Sequence, residues 1–172
     1  VSFVSVFKNH GRSGGTSLIH SHSQIITSPI IPPYIKQKSK AYKPATFNKV
    51  IRTEKSSPRR IKDTQNFLAF APYASRFNFE SWIFPKRHVR SIVELNEEEL
   101  IDLSITLKQI LKNLQKVCDS YNILTFSSPK GLNLRFHIEI IPRVATWAGF
   151  EYSSGIIINS VSPETAAKWL KK

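Results

Sequence analysis

Apolar and polar residues alternate over residues 1–8 (Val-Ser-Phe-Val-Ser-Val-Phe-Lys), the two-residue period of a strand with one buried face. A turn-rich stretch, Asn9-His10-Gly11-Arg12-Ser13-Gly14-Gly15, separates it from residues 17–26, which predict a second strand. The prolines from Pro29 to Pro33 end that strand, because proline cannot donate to a ladder. Residues 37–60 are polar and rich in Lys, Ser and Pro, with only weak strand or helix character at 47–51, and predict a linker. Residues 67–73 (FLAFAPY) and 80–85 (ESWIFP) predict a hairpin joined by 74–79.

Asn96 with Glu99 three residues on has the form of a capping box. Leu100, Leu103, Leu107, Ile110, Leu111, Leu114 and Val117 then recur at helical steps, one apolar face on a helix of about 24 residues. Residues 122–127, 132–142 and 154–159 predict further strands, and Ser162-Pro163-Glu164 predicts a last short helix with a serine cap and proline at its first position. This order implies an α+β fold, an antiparallel sheet with helices on one side.

Residues 15–25 can be laid over residues 130–140, bringing His22 onto His137 and Gln24 onto Glu139. The echo predicts a duplicated unit. Residues 1–60 would be the end of a truncated first copy plus a linker, and residues 61–172 a complete second copy. A chain without methionine that opens inside a strand fits such a cut.

Composition narrows the picture. Over 172 residues, 41% hydrophobic and 11% aromatic content is enough for a buried core. The apolar runs are too short to cross a bilayer, no signal peptide is visible, and a single cysteine, Cys118, fits a reducing compartment, so the cytoplasm is expected. The net charge of +13 invites a nucleic-acid reading. Its concentration in residues 36–60 and at Lys171-Lys172 reads instead as solvated surface, which raises the local concentration of an anionic substrate. Neither nucleic acid nor membrane is expected as a partner.

On a strand, His20, His22 and Gln24 would share one face, with Ser21 and Ser23 on the other. Imidazole suits attack on phosphorus because it is largely neutral near pH 7. One nitrogen faces phosphorus while the other donates to an acceptor that fixes the tautomer, and a backbone carbonyl near the glycine-rich loop would serve. Gln24 offers an uncharged donor to a phosphate oxygen, where a third histidine could act as an acid and favour hydrolysis. Asn9, Ser17 and the backbone N–H groups of Gly14 to Thr16 would add donors for developing charge.

The segment from Phe7-Lys8-Asn9 through Gly14-Gly15-Thr16-Ser17-Leu18-Ile19-His20-Ser21-His22-Ser23-Gln24 resembles the active-site segment of galactose-1-phosphate uridylyltransferases, in the histidine-triad superfamily. The resemblance continues through Pro72-Tyr73-Ala74, Phe84-Pro85-Lys86-Arg87-His88, residues 137–143, Ala148-Gly149-Phe150-Glu151 and Pro163-Glu164-Thr165. It implies a histidine-triad-like fold with His22 taking the nucleotidyl group, and Asn9, Ser17 and Gln24 meeting nucleotide phosphates. Phe150 and Glu151 would lie at the sugar. It further implies ping-pong exchange of a nucleotidyl group between a nucleotide sugar and a hexose 1-phosphate, by a protein that is a homodimer at full length. Galactose with uridine is the family default. The His-Ser-His-Ser-Gln form also resembles plant ADP-glucose phosphorylases, an adenylyl-transferring alternative. A histidine-triad hydrolase and a basic nucleic-acid-binding protein are the remaining readings. In several members the first histidine of the motif, here His20, ligates a structural zinc with upstream cysteines and a histidine, so zinc is an implied cofactor. Some members hold a second metal through a later His-x-His pair; here its first position is Arg135, which speaks against such a site.

Overall fold

Seven strands pair antiparallel, each with its neighbour, into one sheet in this computed structural model, which describes residues 1–18 and 20–172. Ile19, inside the second strand expected from the sequence, lies outside the described residues. In chain order the elements are β1 (Phe3–His10), β2 (Gln24–Ser28), α1 (Pro33–Ala41), α2 (Pro44–Ser56), β3 (Arg60–Asp63), β4 (Phe67–Phe70), β5 (Ser81–Pro85), α3 (Glu97–Leu114), β6 (Tyr121–Phe126), β7 (His137–Pro142), α4 (Gly149–Ser154) and α5 (Pro163–Leu170). The sheet runs β2-β1-β6-β7-β5-β4-β3, so β2 and β3 are its edges.

The fold is α+β, as the strand and helix order implies, but helices cover both faces rather than one. Alternation along the strands sends Phe67, Ala69, Ile83, Ile138 and Ile140 into the main core with Leu103, Ile110 and Leu114 of α3 and Ala166, Ala167 and Leu170 of α5. Leu68, Phe70 and Phe84 point the other way, against Phe47 and Ile51 of α2. The segment predicted as a linker therefore folds into two helices and an edge strand. Pro33 and Pro44 sit in the first turns of α1 and α2, where a missing N–H costs nothing. The apolar positions that dock them, Ile35, Phe47 and Ile51, are too sparse in a lysine-rich stretch to register as a helical face.

Other boundaries also move. The long helix spans 18 residues, because after Leu114 the chain tightens into a turn with Val117 N–H donating to the Leu114 carbonyl at 2.8 Å. Residues 132–136 precede β7 as loop, with the Phe136 N–H donating to Val89 rather than to a strand partner. Residues 154–159 form no strand: α4 ends on Gly155 at φ 70, and Ile156 and Ile158 are exposed.

The pairing registers repeat. Phe7 pairs with Gln24 and Leu124 with Glu139, while Phe7 and Leu124 pair with each other across the β1–β6 junction. A local two-fold between β1 and β6 thus relates β1–β2 to β6–β7 and carries Gln24 onto Glu139. Cross-strand partners share a face, so Gln24, Phe7, Leu124 and Glu139 all lie on the face covered by α1.

The capping box of α3 is formed: Asn96 Oδ1 accepts the Glu99 N–H, and Glu99 Oε2 accepts the Asn96 N–H, both at 2.9 Å. Replacing Asn96 with alanine should remove about 1 kcal/mol of stability and lower the thermal midpoint by about 2–4 °C. A midpoint unchanged in a calorimetric scan would show that tertiary packing alone holds this helix end.

Candidate functional site

The chain leaves β1 at His10 and turns sharply. Gly11 adopts φ 74, a left-handed value that favours glycine, and a Cβ there would overlap the Ser120 hydroxyl and the Asp119 carbonyl. Residues 12–14 then make one tight turn, with Gly14 N–H on the Gly11 carbonyl and Gly15 N–H on the Arg12 carbonyl, both at 3.1 Å. Thr16 N–H returns to Gly11 at 3.4 Å. The backbone donors of Gly14 to Thr16, expected to face a ligand, are thus spent closing the turn.

Asn122 of β6, which the sequence reading passed over, fastens this turn. Its side-chain amide donates to Asn9 Oδ1 at 2.8 Å and to the Gly14 carbonyl at 2.7 Å. With the Asn9 oxygen occupied, its NH₂ is the end left to donate. A polar residue opening an otherwise apolar strand was the available signal.

The strand predicted over residues 17–26 is shorter than expected. Pairing with β1 begins only at Gln24, and residues 20–23 lie outside the ladder, so His20 and His22 do not share a regular strand face. Local bonds take its place. Thr16 Oγ1 donates to the Leu18 carbonyl at 2.8 Å, Lys8 Nζ donates to Ser21 Oγ, and His22 Nδ1 lies 2.8 Å from the His20 carbonyl.

That last contact decides the chemistry of the ring. A carbonyl only accepts, so Nδ1 carries the proton and Nε2 of the neutral imidazole holds a lone pair. Gln24 Nε2 stands 3.4 Å from His22 Nε2, an amide poised beside that lone pair. A cavity of about 480 Å³ opens along the loop, lined by Asn9, His10, Arg12, Thr16, Ser17 and His20 among others. The structure therefore brings Asn9, Ser17 and His20 to one cavity and sets Gln24 against His22. Its walls offer neutral donors and the Arg12 guanidinium, a lining suited to an anion.

Phe150 and Glu151 stand apart on α4, with no hydrogen bond to this cluster among the described residues. The Glu151 carboxylate accepts the Ala148 N–H at 3.0 Å and tightens its own helix start. Its pKa is lowered by that backbone hydrogen bond. A second cavity of about 500 Å³, lined by Ser13, Arg143, Trp147 and Tyr152, lies between the glycine turn and α4. Trp147 also stacks on Phe77 at 5.6 Å. His20 is exposed, and among the described residues no three His, Cys, Asp or Glu side chains converge on a metal position. These residues do not by themselves make a zinc site.

The echoed histidine repeats the local bond. His137 Nδ1 lies 2.9 Å from the Arg135 carbonyl, again two residues back, and Glu139 Oε1 is 3.4 Å from His137 Nε2. There the likeness ends. His137 is buried between Phe84 and Phe126, with ring centroids 4.6 and 4.7 Å away, and burial pushes its pKa down, keeping it neutral. The Arg135 guanidinium is committed to the carbonyls of Pro85, Lys86 and Arg87 at 2.6, 2.7 and 2.9 Å.

Comparison with known proteins shows the family and the fold. Residues 4–172 match the family described as galactose-1-phosphate uridyl transferase, C-terminal domain. An ADP-glucose phosphorylase of Arabidopsis thaliana is 31% identical over 183 residues, taking in 100% of this chain and 52% of that protein. A crystal structure of an ADP-glucose phosphorylase from the same plant, with bound ADP-glucose, matches with TM-score 0.88 over 99% of this chain and 59% of that one. A galactose-1-phosphate uridylyltransferase of Thermotoga maritima is 30% identical over 193 residues, 100% of this chain and 60% of that protein. The fold alone is shared with a histidine-triad-like protein of Bartonella henselae, at 20% identity and TM-score 0.54 over 73% of this chain and 92% of that one. The chain thus spans 52% to 60% of the length of these two curated relatives.

The glycine turn gives a discriminating test. Both Gly11 and Gly15 have positive φ, but a Cβ at Gly15 meets open space. Gly15→Ala should cost about 1–2 kcal/mol of backbone strain, and Gly11→Ala clearly more, because it also collides with residues 119–120. Denaturant melts showing equal losses would contradict this packing.

Proposed function

Because the chain belongs to the galactose-1-phosphate uridylyltransferase family, whose C-terminal domain it matches over residues 4–172, we propose that it carries the nucleophile of a sugar-nucleotide nucleotidyltransferase and that this nucleophile is His22. The supporting observation is the fixed tautomer: the His20 carbonyl holds the proton on Nδ1 and leaves the Nε2 lone pair beside Gln24. In the first half-reaction Nε2 bonds to the α-phosphorus of a nucleotide sugar. The bond from that phosphorus to the bridging oxygen breaks, and its electron pair leaves on the hexose 1-phosphate. In the second, a phosphate oxygen of the acceptor attacks the same phosphorus and the N–P bond returns its electrons to Nε2. The Nδ1 proton never leaves the ring, and its bond to the carbonyl strengthens as the ring gains positive charge.

In this reading Gln24 would donate to a non-bridging oxygen, as would the Asn9 amide and the Ser17 hydroxyl. None can serve as an acid towards the leaving group, which disfavours a hydrolase. Phe150 and Glu151 would contact the sugar, the Glu151 Oε1 accepting a sugar hydroxyl while Oε2 keeps the Ala148 N–H. We assign residues 1–60 to the end of a first histidine-triad-like unit and residues 61–172 to a second. A structural zinc on His20, a homodimer and the cytoplasm belong to the same reading.

UDP-glucose and a hexose 1-phosphate are the substrates of the first reading. The Arabidopsis relative favours a second, ADP-glucose with phosphate as acceptor. The test is to incubate the full-length protein with UDP-glucose or ADP-glucose, each radiolabelled in its α-phosphate. An acid-labile, base-stable adduct should form with one of them and be absent in His22→Ala. Gln24→Ala should slow its formation on the order of 100-fold. An adduct that survives His22→Ala would overturn the assignment.

A further inference from the structure

The second copy of the histidine site holds a group that the first lacks. Lys38 of α1 reaches into it, its ammonium paired with Glu139 Oε1 and 3.1 Å from His137 Nε2. With the His137 proton on Nδ1, that Nε2 can only accept, and the ammonium donates to it. Three aromatic rings surround the same nitrogen: Phe126 with its centroid at 3.9 Å, Trp82 at 5.4 Å and Tyr34 at 5.6 Å. Glu139 is 0% exposed, and its Oε2 has no hydrogen-bond partner among the described residues, only the Arg76 guanidinium at 3.9 Å.

Equivalent positions show how the preference has turned over. Gln24, a neutral donor, is replaced by Glu139, a buried anion. Phe126 is the strand partner opposite His137 and offers it a π face, whereas His22 precedes the β1–β2 ladder and has no stacked ring among the described residues. A phosphate at His137 would meet a carboxylate and three ring faces, all negative; a cation meets four attractive partners. Burial draws the Lys38 pKa down while Glu139 pulls it up, and burial would raise Glu139 but is outweighed, the Lys38 ammonium beside it favouring the ionised form.

We propose that the second histidine site is a primary-ammonium site and that Lys38 is its built-in cation. In consequence α1 is strapped across the sheet on the same face as Gln24, and the repeated histidine is closed to nucleotide. This stands independently of the reaction assigned to His22.

The site can be emptied without undocking the helix. Ile35 stays packed with Phe126 and Leu134, and Ser39 Oγ still donates to the Asn133 carbonyl at 2.9 Å. Lys38→Ala removes an n-propylammonium equivalent, so that ion is the probe. Thermal midpoints are compared in equal concentrations of sodium chloride and n-propylammonium chloride. Lys38→Ala should melt below the native chain in sodium chloride and regain about 2–4 °C in propylammonium, while the native chain and Lys38→Met, which fills the space without charge, gain nothing. A Lys38→Met protein as stable as the native chain would overturn the proposal, as would a propylammonium effect equal in all three. If Lys38→Ala fails to fold, the pair Lys38→Met and Lys38→Met/Glu139→Gln decides. Removing the stranded carboxylate should recover part of the lost midpoint, and no recovery refutes the cation assignment.

Discussion

Backbone pairing between β1 and β6 carries everything else in this molecule. Through Phe7 and Leu124 it joins the first pair of strands to the rest of the sheet, so that the glycine turn after β1 rests on the start of β6 and Asn122 can reach both Asn9 and Gly14. Without that junction the loop carrying Ser17, His20 and His22 would have no wall behind it. The same pairing puts Gln24 and Glu139, each two residues beyond its histidine, on one face of one sheet. Three strand spacings, about 14 Å, separate the strands that carry them.

Two imidazoles with the same tautomer lock thus meet opposite surroundings. At His22 the neighbour is the neutral Gln24 amide, and a cavity along the same loop is lined by Asn9, Ser17 and His20. At His137 the neighbours are rings and a carboxylate, and an internal ammonium takes the lone pair. Orientation by a carbonyl two residues back is a property of the local chain and was kept in both copies. Reactivity depends on residues drawn from other strands and from α1, and there the copies diverge.

Local chemistry made much of this legible in the sequence. Capping by Asn96 and Glu99, the β4–β5 hairpin and the proline start of α5 each depend on residues close together in the chain, and each is found close to its expected place. The echo of two short segments recurs as matching pairing registers in β1–β2 and β6–β7. Long-range partners were not legible. Lys38 reads as one more solvated lysine in a basic stretch, and only the fold brings it 101 positions along the chain to Glu139. The extended strand expected around His20 and His22 failed for a related reason: alternation describes a ladder, but residues 20–23 do not pair with β1, and local bonds such as His22 Nδ1 to the His20 carbonyl take its place. Glu151 was found on the predicted segment, yet its carboxylate is turned back on its own helix.

The outer edge of β2 has a consequence for how the protein associates. Ile25 and Ile26 are 69% and 55% exposed, and Gln24–Ser28 hydrogen-bonds to β1 on one side only, among the described residues. No inward charge, proline or bulge interrupts this run, so its free N–H and C=O groups form a template for one more strand. A strand added there would lie about 4.8 Å away and end next to the residues that lead into His22. Anything paired along this edge would therefore bear on the residues that precede β2, coupling what occupies the edge to the shape of the loop that carries His22.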